Sequence, residues 1–246
     1  MNLENRVVII TGGKRIGRVV AQQLADRGAN VVLSYRGSKA EADDTVGDVT
    51  QRGRRAIAVA ADVSKAADCA ALVAAARDTF GRVDALVNMA SVYGSTPFDE
   101  LTEAAWDRDL TINLKSAFLC AQAAIPVMRA TGGGRIINFA DWLARSGRPN
   151  YRGFVSYYVA KAGIIALTEA LALELAADQI LVNAIAPGPI LAPPDMAPAE
   201  VAAVAAATPV GRWGGEIEIA KAVLMLIETE FVTGETIRVD GGRHVA

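Results

Sequence analysis

The residue pair best suited to proton transfer in this sequence is Tyr157 and Lys161, which stand four residues apart. A helical pattern covers both positions, so their side chains are expected on one helix face. An ammonium beside a phenol favours the phenolate, which predicts a lowered pKa for Tyr157 and proton transfer near neutral pH. The adjacent Tyr158 lacks this spacing. A surface pair without chemistry is the alternative interpretation.

A glycine-rich turn, TGGKRIG at residues 11–17, follows the first strand-like segment and precedes a helical pattern. Glycines let the backbone approach a pyrophosphate closely, and a helix N-terminus offers free N–H groups and a positive dipole. The turn therefore predicts a dinucleotide site, with an ordinary turn as the alternative. It lacks the Gly-Lys-Ser/Thr ending of a nucleotide-triphosphate loop, which argues against a kinase or NTPase. The predicted contacts are Gly12, Lys14, Arg15, Ile16 and Gly17.

The end of the second strand-like segment predicts which dinucleotide is bound. An NAD site usually carries an Asp or Glu about 20 residues past the glycines, whereas an NADP site uses Arg. Here the segment ends in Tyr35 and Arg36, followed by Ser38, and the first acid is Glu41. With further positive charge from the glycine-rich turn, this pattern predicts NADPH. Solvated surface cations are the alternative.

A carboxylate follows the fifth strand-like segment, at Asp141. An ionised carboxylate only accepts hydrogen bonds and would repel the oxygen of a substrate carbonyl. Asp141 therefore suits a substrate with N–H donors or a C=N bond reduced through an iminium. Burial could instead keep the carboxyl protonated and donating. A local helix cap or an ion pair with Arg145 is the structural alternative.

The elements that must position these residues alternate along nearly the whole chain. Apolar runs buried on both faces are typical of parallel strands, and strand–helix alternation gives a doubly wound sheet. The sequence predicts a single-domain α/β fold over residues 1–246, with about seven strands flanked by helices. The strand-like runs are 6–11, 30–35, 56–60, 83–88, 135–139, 180–185 and 236–239. Prolines break the segment 187–212, and its apolar stretch 196–207 is either a lid or a short surface helix.

The composition excludes several function classes. With 25 Lys and Arg against 27 Asp and Glu in 246 residues, the net charge is −2, which makes nucleic acid an unexpected partner. A single histidine, His244, argues against a His-rich zinc site, and no metal is predicted. Cys69 and Cys120 fit reduced thiols in buried helices better than a disulfide framework.

Membrane association and secretion are also not expected. No uninterrupted apolar stretch approaches the roughly 18–20 residues of a bilayer span. The first residues lack the basic and apolar regions of a signal peptide. A cytoplasmic protein with a small-molecule substrate is expected.

Taken together, these motifs resemble the short-chain dehydrogenase/reductase family over essentially the entire chain. The resemblance implies a Rossmann-type fold, hydride transfer from a nicotinamide, and a homotetramer or homodimer. It also implies Tyr157 as proton donor, Lys161 on the nicotinamide ribose and Asn113 beside a proton-relay water. The implied cofactor contacts are Asp62 and Val63 at the adenine, Asn88 and Ala90 at the centre, and Pro187, Gly188 and Ile190 at the nicotinamide.

Asp141 departs from the pattern, because most members of the family have a catalytic serine there. The departure is similar to the pteridine reductase branch, where an aspartate works with the tyrosine. That similarity implies substrate contacts from Ser91 and from Tyr93, whose ring would stack on a pterin; a core-packed ring is the alternative. Trp142 follows the fifth strand-like segment, so it either walls an apolar substrate pocket or packs in the core or at an interface. Met89, Gly94 and a longer interval around residues 145–150 differ from that branch.

These inferences predict an NADPH-dependent reductase of pterin-like or imine substrates, with Tyr157 and Asp141 managing the proton. Two rival functions stay open. One is a carbonyl reductase acting on 3-oxoacyl thioesters or small ketones. The other is an NADPH-binding regulator without turnover, since fold alone cannot exclude it.

Overall fold

The computed structural model describes residues 1–12, 14–146 and 152–246, and its centre is one parallel sheet of seven strands. The strands lie in the order β3-β2-β1-β4-β5-β6-β7. This is the doubly wound arrangement that the alternating pattern predicts. The strands are β1 (Val7–Thr11), β2 (Asn30–Tyr35), β3 (Ala56–Ala60), β4 (Ala85–Asn88), β5 (Gly134–Phe139), β6 (Ile180–Pro187) and β7 (Thr236–Val239).

The inner strands form because most of their residues are apolar in both pleat directions. All five residues of β1 and all six of β5 are buried, so both faces of the sheet are covered. β4 starts two residues later than predicted. Its predicted second residue, Asp84, instead accepts hydrogen bonds from the Val7 N–H and from Arg6 and Arg82.

Helices cover both faces of the sheet. α1 and α9 pack together and contribute to one apolar cluster, whereas α3 and α5 contribute to a second cluster on the other face. The helices are α1 (Ile16–Asp26), α2 (Lys39–Gln51), α3 (Ala66–Phe80), α4 (Glu103–Leu110), α5 (Ser116–Ala130), α6 (Trp142–Ser146), α7 (Val155–Leu175), α8 (Pro198–Ala206) and α9 (Glu216–Glu228).

A π turn, Thr111–Lys115, joins α4 and α5 into one helical run from Glu103 to Ala130. By length and composition alone this run is sufficient to cross a membrane, with a mean hydropathy of 1.3 in its most apolar window. That is weak support for a span, because α5 packs against α3 and buries residues such as Met128 in the core.

The strand order places the carboxyl ends of β1, β4, β5 and β6 side by side, with the switch point between β1 and β4. The proline-rich segment lies beyond β6. Its helix, α8, has no buried residue and therefore forms the surface helix that was one of the two interpretations. The lid function stays a prediction.

Candidate active site

The hydroxyl of Tyr157 and the carboxyl of Asp141 lie together, as the sequence predicts for a shared reaction centre. Tyr157 donates a hydrogen bond to Asp141 Oδ2 at 3.1 Å. Asp141 Oδ1 accepts the Leu143 N–H at 2.8 Å, so this carboxyl also caps α6. Arg145 pairs with Glu235 rather than with Asp141, at 3.4 Å. The ion-pair alternative is therefore wrong, and the cap coexists with the contact to Tyr157.

Lys161 lies one helical turn beyond Tyr157 and is 3% exposed. Its Nζ donates to the main-chain oxygen of Phe139 at 2.7 Å and lies 5.6 Å from the centre of the Tyr157 ring. Burial lowers the pKa of Lys161 to about 8, although Asp141 acts in the opposite direction. The ammonium is thus held in a site where keeping its proton is costly.

The expectation of a lowered tyrosine pKa is wrong for this arrangement. Burial, and then the negative charge and hydrogen bond of Asp141, raise the pKa of Tyr157 well above its usual value. Lys161 bonds to a main-chain carbonyl instead of to the phenol. Tyr157 therefore keeps its proton near neutral pH, which suits a proton donor more than a base.

Asp141 is shifted in the same direction. Burial raises the pKa of its carboxyl above the ordinary value, against the Leu143 N–H, the Tyr157 hydroxyl and Lys161, which lower it. A raised pKa increases the protonated fraction of the carboxyl. A protonated carboxyl donates a hydrogen bond, which an ionised one cannot do.

Asn113 sits inside the π turn and faces the loop after β4. Its Oδ1 accepts hydrogen bonds from Ser91 Oγ at 2.6 Å and from the Val92 N–H at 3.1 Å. Its Nδ2 is buried and has no hydrogen-bond partner among the described residues. π turns recur at functional sites, and this one leaves a free donor next to the predicted substrate contact Ser91.

An aromatic group stands over the Tyr157 ring. Tyr93 is 62% exposed, stacks on Phe154 at 4.8 Å between ring centres, and meets Tyr157 edge-on at 5.1 Å. Sequence reasoning missed Phe154. Its position three residues before Tyr157, at the start of the same helix, was the available signal. Trp142 is 9% exposed, so its contact with substrate stays a prediction.

In the glycine-rich turn, the main chain at Gly12 lies close to the main chain at Ala90. At Gly12 φ is +67°, and a Cβ added there would lie 3.0 Å from Ala90 Cα. Gly17 lies directly against the Gly12 carbonyl, and Ile16 begins α1. In the described part of the chain no side chain caps α1 and no acid occupies its first turn. Gly13 lies outside the described residues.

The cations predicted to select NADPH are exposed, and one of them already has a partner. Lys14 Nζ lies 2.8 Å from Glu41 Oε1, with both side chains more than half exposed. Arg15 and Arg36 are also exposed, at the ends of the glycine turn and β2. Tyr35 is the last residue of β2, and Ser38 precedes α2. The ion pair between Lys14 and Glu41 was not predicted from the sequence.

Two further strand ends carry the predicted adenine and central contacts. Asp62 Oδ1 accepts the N–H and hydroxyl of Ser64, and this hydroxyl lowers the pKa of Asp62. Val63 follows and is buried. Asn88 Nδ2 donates to Asn138 Oδ1 at 2.9 Å, while Asn88 Oδ1 is buried without a partner among the described residues.

The end of β6 carries the predicted nicotinamide contacts. Pro187 ends β6, and the Gly188 N–H donates to the Val239 oxygen at 2.9 Å. A Cβ on Gly188 would lie 2.5 Å from the Cβ of Asp240, so only glycine fits. Ile190 is 5% exposed and receives a hydrogen bond from the Gly215 N–H at its main-chain oxygen.

A family profile described as enoyl-(acyl carrier protein) reductase matches residues 12–244. The 3-oxoacyl-[acyl-carrier-protein] reductase FabG of Staphylococcus aureus is 36% identical over 96% of this chain and 97% of its own length. The (2S)-[(R)-hydroxy(phenyl)methyl]succinyl-CoA dehydrogenase subunit BbsD of Thauera aromatica is 36% identical over 100% of this chain and 99% of its own length. This chain belongs to the short-chain dehydrogenase/reductase family.

A solved structure agrees with this assignment. The short-chain dehydrogenase/reductase of Serratia marcescens superimposes with a TM-score of 0.92 at 31% identity, covering 99% of this chain and 100% of that one. The predicted Rossmann-type fold and oxidoreductase class of this short-chain dehydrogenase/reductase are therefore confirmed. The family binds NAD or NADP, so the predicted nicotinamide cofactor is confirmed as well. The pteridine reductase-like branch is not shown by these relatives.

The residues present fit a nicotinamide dinucleotide. The N-terminus of α1, which no side chain caps, suits a pyrophosphate. Two buried polar atoms, Asn88 Oδ1 and Asn113 Nδ2, have no partner in the described chain. Such atoms are costly unless a ligand or water satisfies them.

Proposed function

We propose that this chain is an NADPH-dependent carbonyl reductase in which the half-buried carboxyl group of Asp141 takes the place of the usual serine. The observation that carries the proposal is the 3.1 Å contact between Tyr157 and Asp141, in a setting that raises the pKa of both groups. The names of the two curated relatives, a 3-oxoacyl reductase and a hydroxyacyl-CoA dehydrogenase, describe a ketone and an alcohol. They favour a carbonyl substrate over the C=N substrate predicted from the sequence.

The chain's own groups have separate tasks in this proposal. When bound, NADPH supplies the hydride. Tyr157, which keeps its proton, donates it to the substrate oxygen. In its protonated form, which burial favours, Asp141 would donate a second hydrogen bond to that oxygen and remove the repulsion expected of an ionised aspartate. Burial, the first cause of the raised Tyr157 pKa, acts on the phenol in either state of Asp141.

Two further residues position those groups. The Lys161 ammonium, held by the Phe139 oxygen, keeps positive charge beside the phenol. Asn113 Nδ2 is the donor left free to hold a proton-relay water. The family resemblance supplies these roles, and the burial of both groups is compatible with them.

NADPH rather than NADH is proposed because β2 ends in a cation. Arg36 follows Tyr35 directly, and the nearest acid of α2, Glu41, is engaged by Lys14. An arginine at this place accommodates a ribose 2′-phosphate, where an acid would bind the free hydroxyl. We propose the whole chain, residues 1–246, as one NADP(H)-binding domain.

A second candidate is reduction of C=N bonds in pterin-like or imine substrates, and a specific observation favours it. The Tyr93 ring is exposed and already holds a stacked aromatic partner, Phe154, next to the reacting phenol. A planar heterocycle could replace or extend that stack. The carboxyl of Asp141 would then protonate or bind a ring nitrogen.

A side-by-side assay separates the candidates. NADPH oxidation is measured with a 3-oxoacyl thioester, a small ketone, a dihydropterin and a cyclic imine, for the natural chain and for Asp141→Ser. The proposal expects faster turnover of the carbonyl substrates, with activity falling as pH rises and Asp141 loses its proton. Asp141→Ser should keep carbonyl activity and lose that pH dependence. The exposed Asp195→Ser is the control.

Other outcomes assign the function differently. Turnover of the dihydropterin or imine at least about tenfold above the ketones, lost in Asp141→Ser, would establish the second candidate. NADPH binding without turnover of any substrate on the panel would favour the silent regulator instead.

We further propose a homotetramer in the cytoplasm. Apolar side chains on the outer faces of α5 and α7 support assembly: Phe118 is 42%, Val159 40% and Leu173 83% exposed. The family resemblance implies the tetramer. Light scattering in solution tests it, and a monomer at micromolar concentration would contradict it.

A further inference from the structure

The two cysteines of the chain meet in the core, although they are 51 positions apart in sequence. Cys69 lies on α3 and Cys120 on α5, with exposures of 0% and 1%. Their sulfurs are 3.5 Å apart, and both are free thiols. Because a disulfide has an S–S length of roughly 2.0 Å, the two sulfurs need to approach by about 1.5 Å to form one.

One of these thiols also holds the turn that carries the predicted adenine contact. Cys69 Sγ donates to the main-chain oxygen of Val63 at 3.3 Å. The preceding residue of α3, Asp68, accepts the Asp62 N–H at 2.8 Å. Two neighbouring residues near the start of α3, Asp68 and Cys69, therefore hold the Asp62–Val63 turn by hydrogen bonds.

We propose that Cys69 and Cys120 are a site of reversible oxidation, at which a disulfide weakens cofactor binding through the Val63 turn. The proposal rests on the proposed function only in taking that turn as part of the cofactor site. A sulfur in a disulfide has no proton, so Cys69 can no longer donate to Val63. The same bond pulls Cys69 towards α5 and away from the turn.

The oxidant is a hydroperoxide, and the step balances with it. One thiol attacks the peroxide, the O–O bond breaks, and a sulfenic acid and water form. The second thiol attacks the sulfenic sulfur, the S–O bond breaks, and the disulfide and a second water form. Two thiol protons and two electrons reduce one hydrogen peroxide to two waters.

Cys69 is the expected first nucleophile. The hydrogen bond from Cys120 lowers the pKa of the Cys69 thiol, whereas that same hydrogen bond and burial raise the pKa of Cys120. Thiolate character and access to the oxidant govern attack on peroxides. Because both thiols are buried, peroxide has to enter through transient opening between α3 and α5, and oxidation is expected to be slow. Cys120 is therefore the resolving thiol.

The test compares oxidised and reduced natural protein. After treatment with hydrogen peroxide, intact mass should fall by two hydrogens, and peptide mapping should link the segments that contain Cys69 and Cys120. The Kd for NADPH, measured by its fluorescence without substrate, should rise roughly three- to tenfold, the scale of one lost hydrogen bond. A dithiol reductant should restore the first value.

Cys120→Ala is the matched control, because it removes the resolving sulfur and keeps the bond from Cys69 to Val63. In this variant peroxide can only add oxygen to Cys69, so its intact mass should rise by oxygen rather than fall by two hydrogens, and before oxidation its Kd should equal that of the natural protein. Cys69→Ala should show a raised Kd without oxidant. Thiols that stay free in folded protein, a link between two molecules, or a disulfide with an unchanged Kd would each overturn the proposal. Absence of NADPH binding in reduced protein would overturn the cofactor assignment instead, since the mass change tests the disulfide separately.

Discussion

The charged side chains at the glycine turn are exposed to solvent, whereas the ammonium of Lys161 beside Tyr157 is buried. Lys14 and Glu41 are paired with side chains 62% and 52% exposed, while Lys161 is 3% exposed. Exposed pairs are screened by water and salt and contribute little. Buried groups interact strongly and have shifted pKa values. Substitutions at the glycine turn should therefore tune affinity, and those near Tyr157 should change the rate of reaction.

The largest effect is expected from Tyr157→Phe, which removes the proposed proton donor. The turnover rate should fall at least about 100-fold, the usual scale of one general acid, while the Kd for NADPH stays within about twofold. Steady-state kinetics and a binding titration check both values. Tyr158→Phe, one residue along α7, is the control and should keep its rate. A nearly unchanged rate in folded Tyr157→Phe protein would refute the assignment.

Lys161 should make stability depend on pH in a defined window. Its pKa is about 8 when folded, against 10.5 ordinarily, so between these values the unfolded chain holds the proton and the folded one does not. Stability of the natural protein should therefore rise across this window relative to Lys161→Met, by about 2–3 kcal/mol.

Urea unfolding at pH 7.5 and pH 10 measures that difference. Lys221→Met, at an exposed lysine of α9, is the control and should show little change between the two conditions. Parallel stabilities of the natural protein and Lys161→Met across the window would mean that the lysine is not held in an unfavourable charged state.

Arg36→Ala should weaken NADPH binding about tenfold, the scale of one charge-assisted hydrogen bond, and leave NADH binding nearly unchanged. Isothermal titration with both cofactors gives the ratio. Arg77→Ala, at an exposed arginine of α3, is the matched control. An equal loss for both cofactors would show that Arg36 does not contact the 2′-phosphate.

The smallest effect is expected from Glu41→Gln, which releases Lys14 from its ion pair. NADPH should bind about two- to threefold more tightly at low salt, and the gain should vanish at high salt because the pair is exposed. Titrations at two ionic strengths check this. A gain that survives high salt would show that the site is less open than its exposure indicates.

Most of the fold followed from local pattern, because strands buried on both faces have an unmistakable apolar run. The bounds of β2, β3 and β7 agree with prediction at both ends. The π turn at Thr111–Lys115 was not predicted, since α4 and α5 continue through it as one helix and nothing in apolar periodicity marks the extra residue.

The parts of the site that depend on strand ends and helix spacing could be predicted from the sequence. The contacts between residues far apart in the chain could not. Asp141 and Tyr157 follow from strand ends and helix spacing, and they do meet. The partners of Lys14 and Arg145 come from segments far along the chain, so spacing could not show them. The direction of the Tyr157 pKa was missed because burial and Asp141 raise it, and neither the burial nor the bond of Lys161 to the Phe139 oxygen can be read from spacing.

The hydrogen bonds that tie α8 to its surroundings are accepted by main-chain oxygens: Val201 accepts from the Trp213 indole, and Val204 from Thr208 and Arg243. None of its own side chains enters the core. Evolution can therefore rewrite residues 198–206 with little penalty to folding.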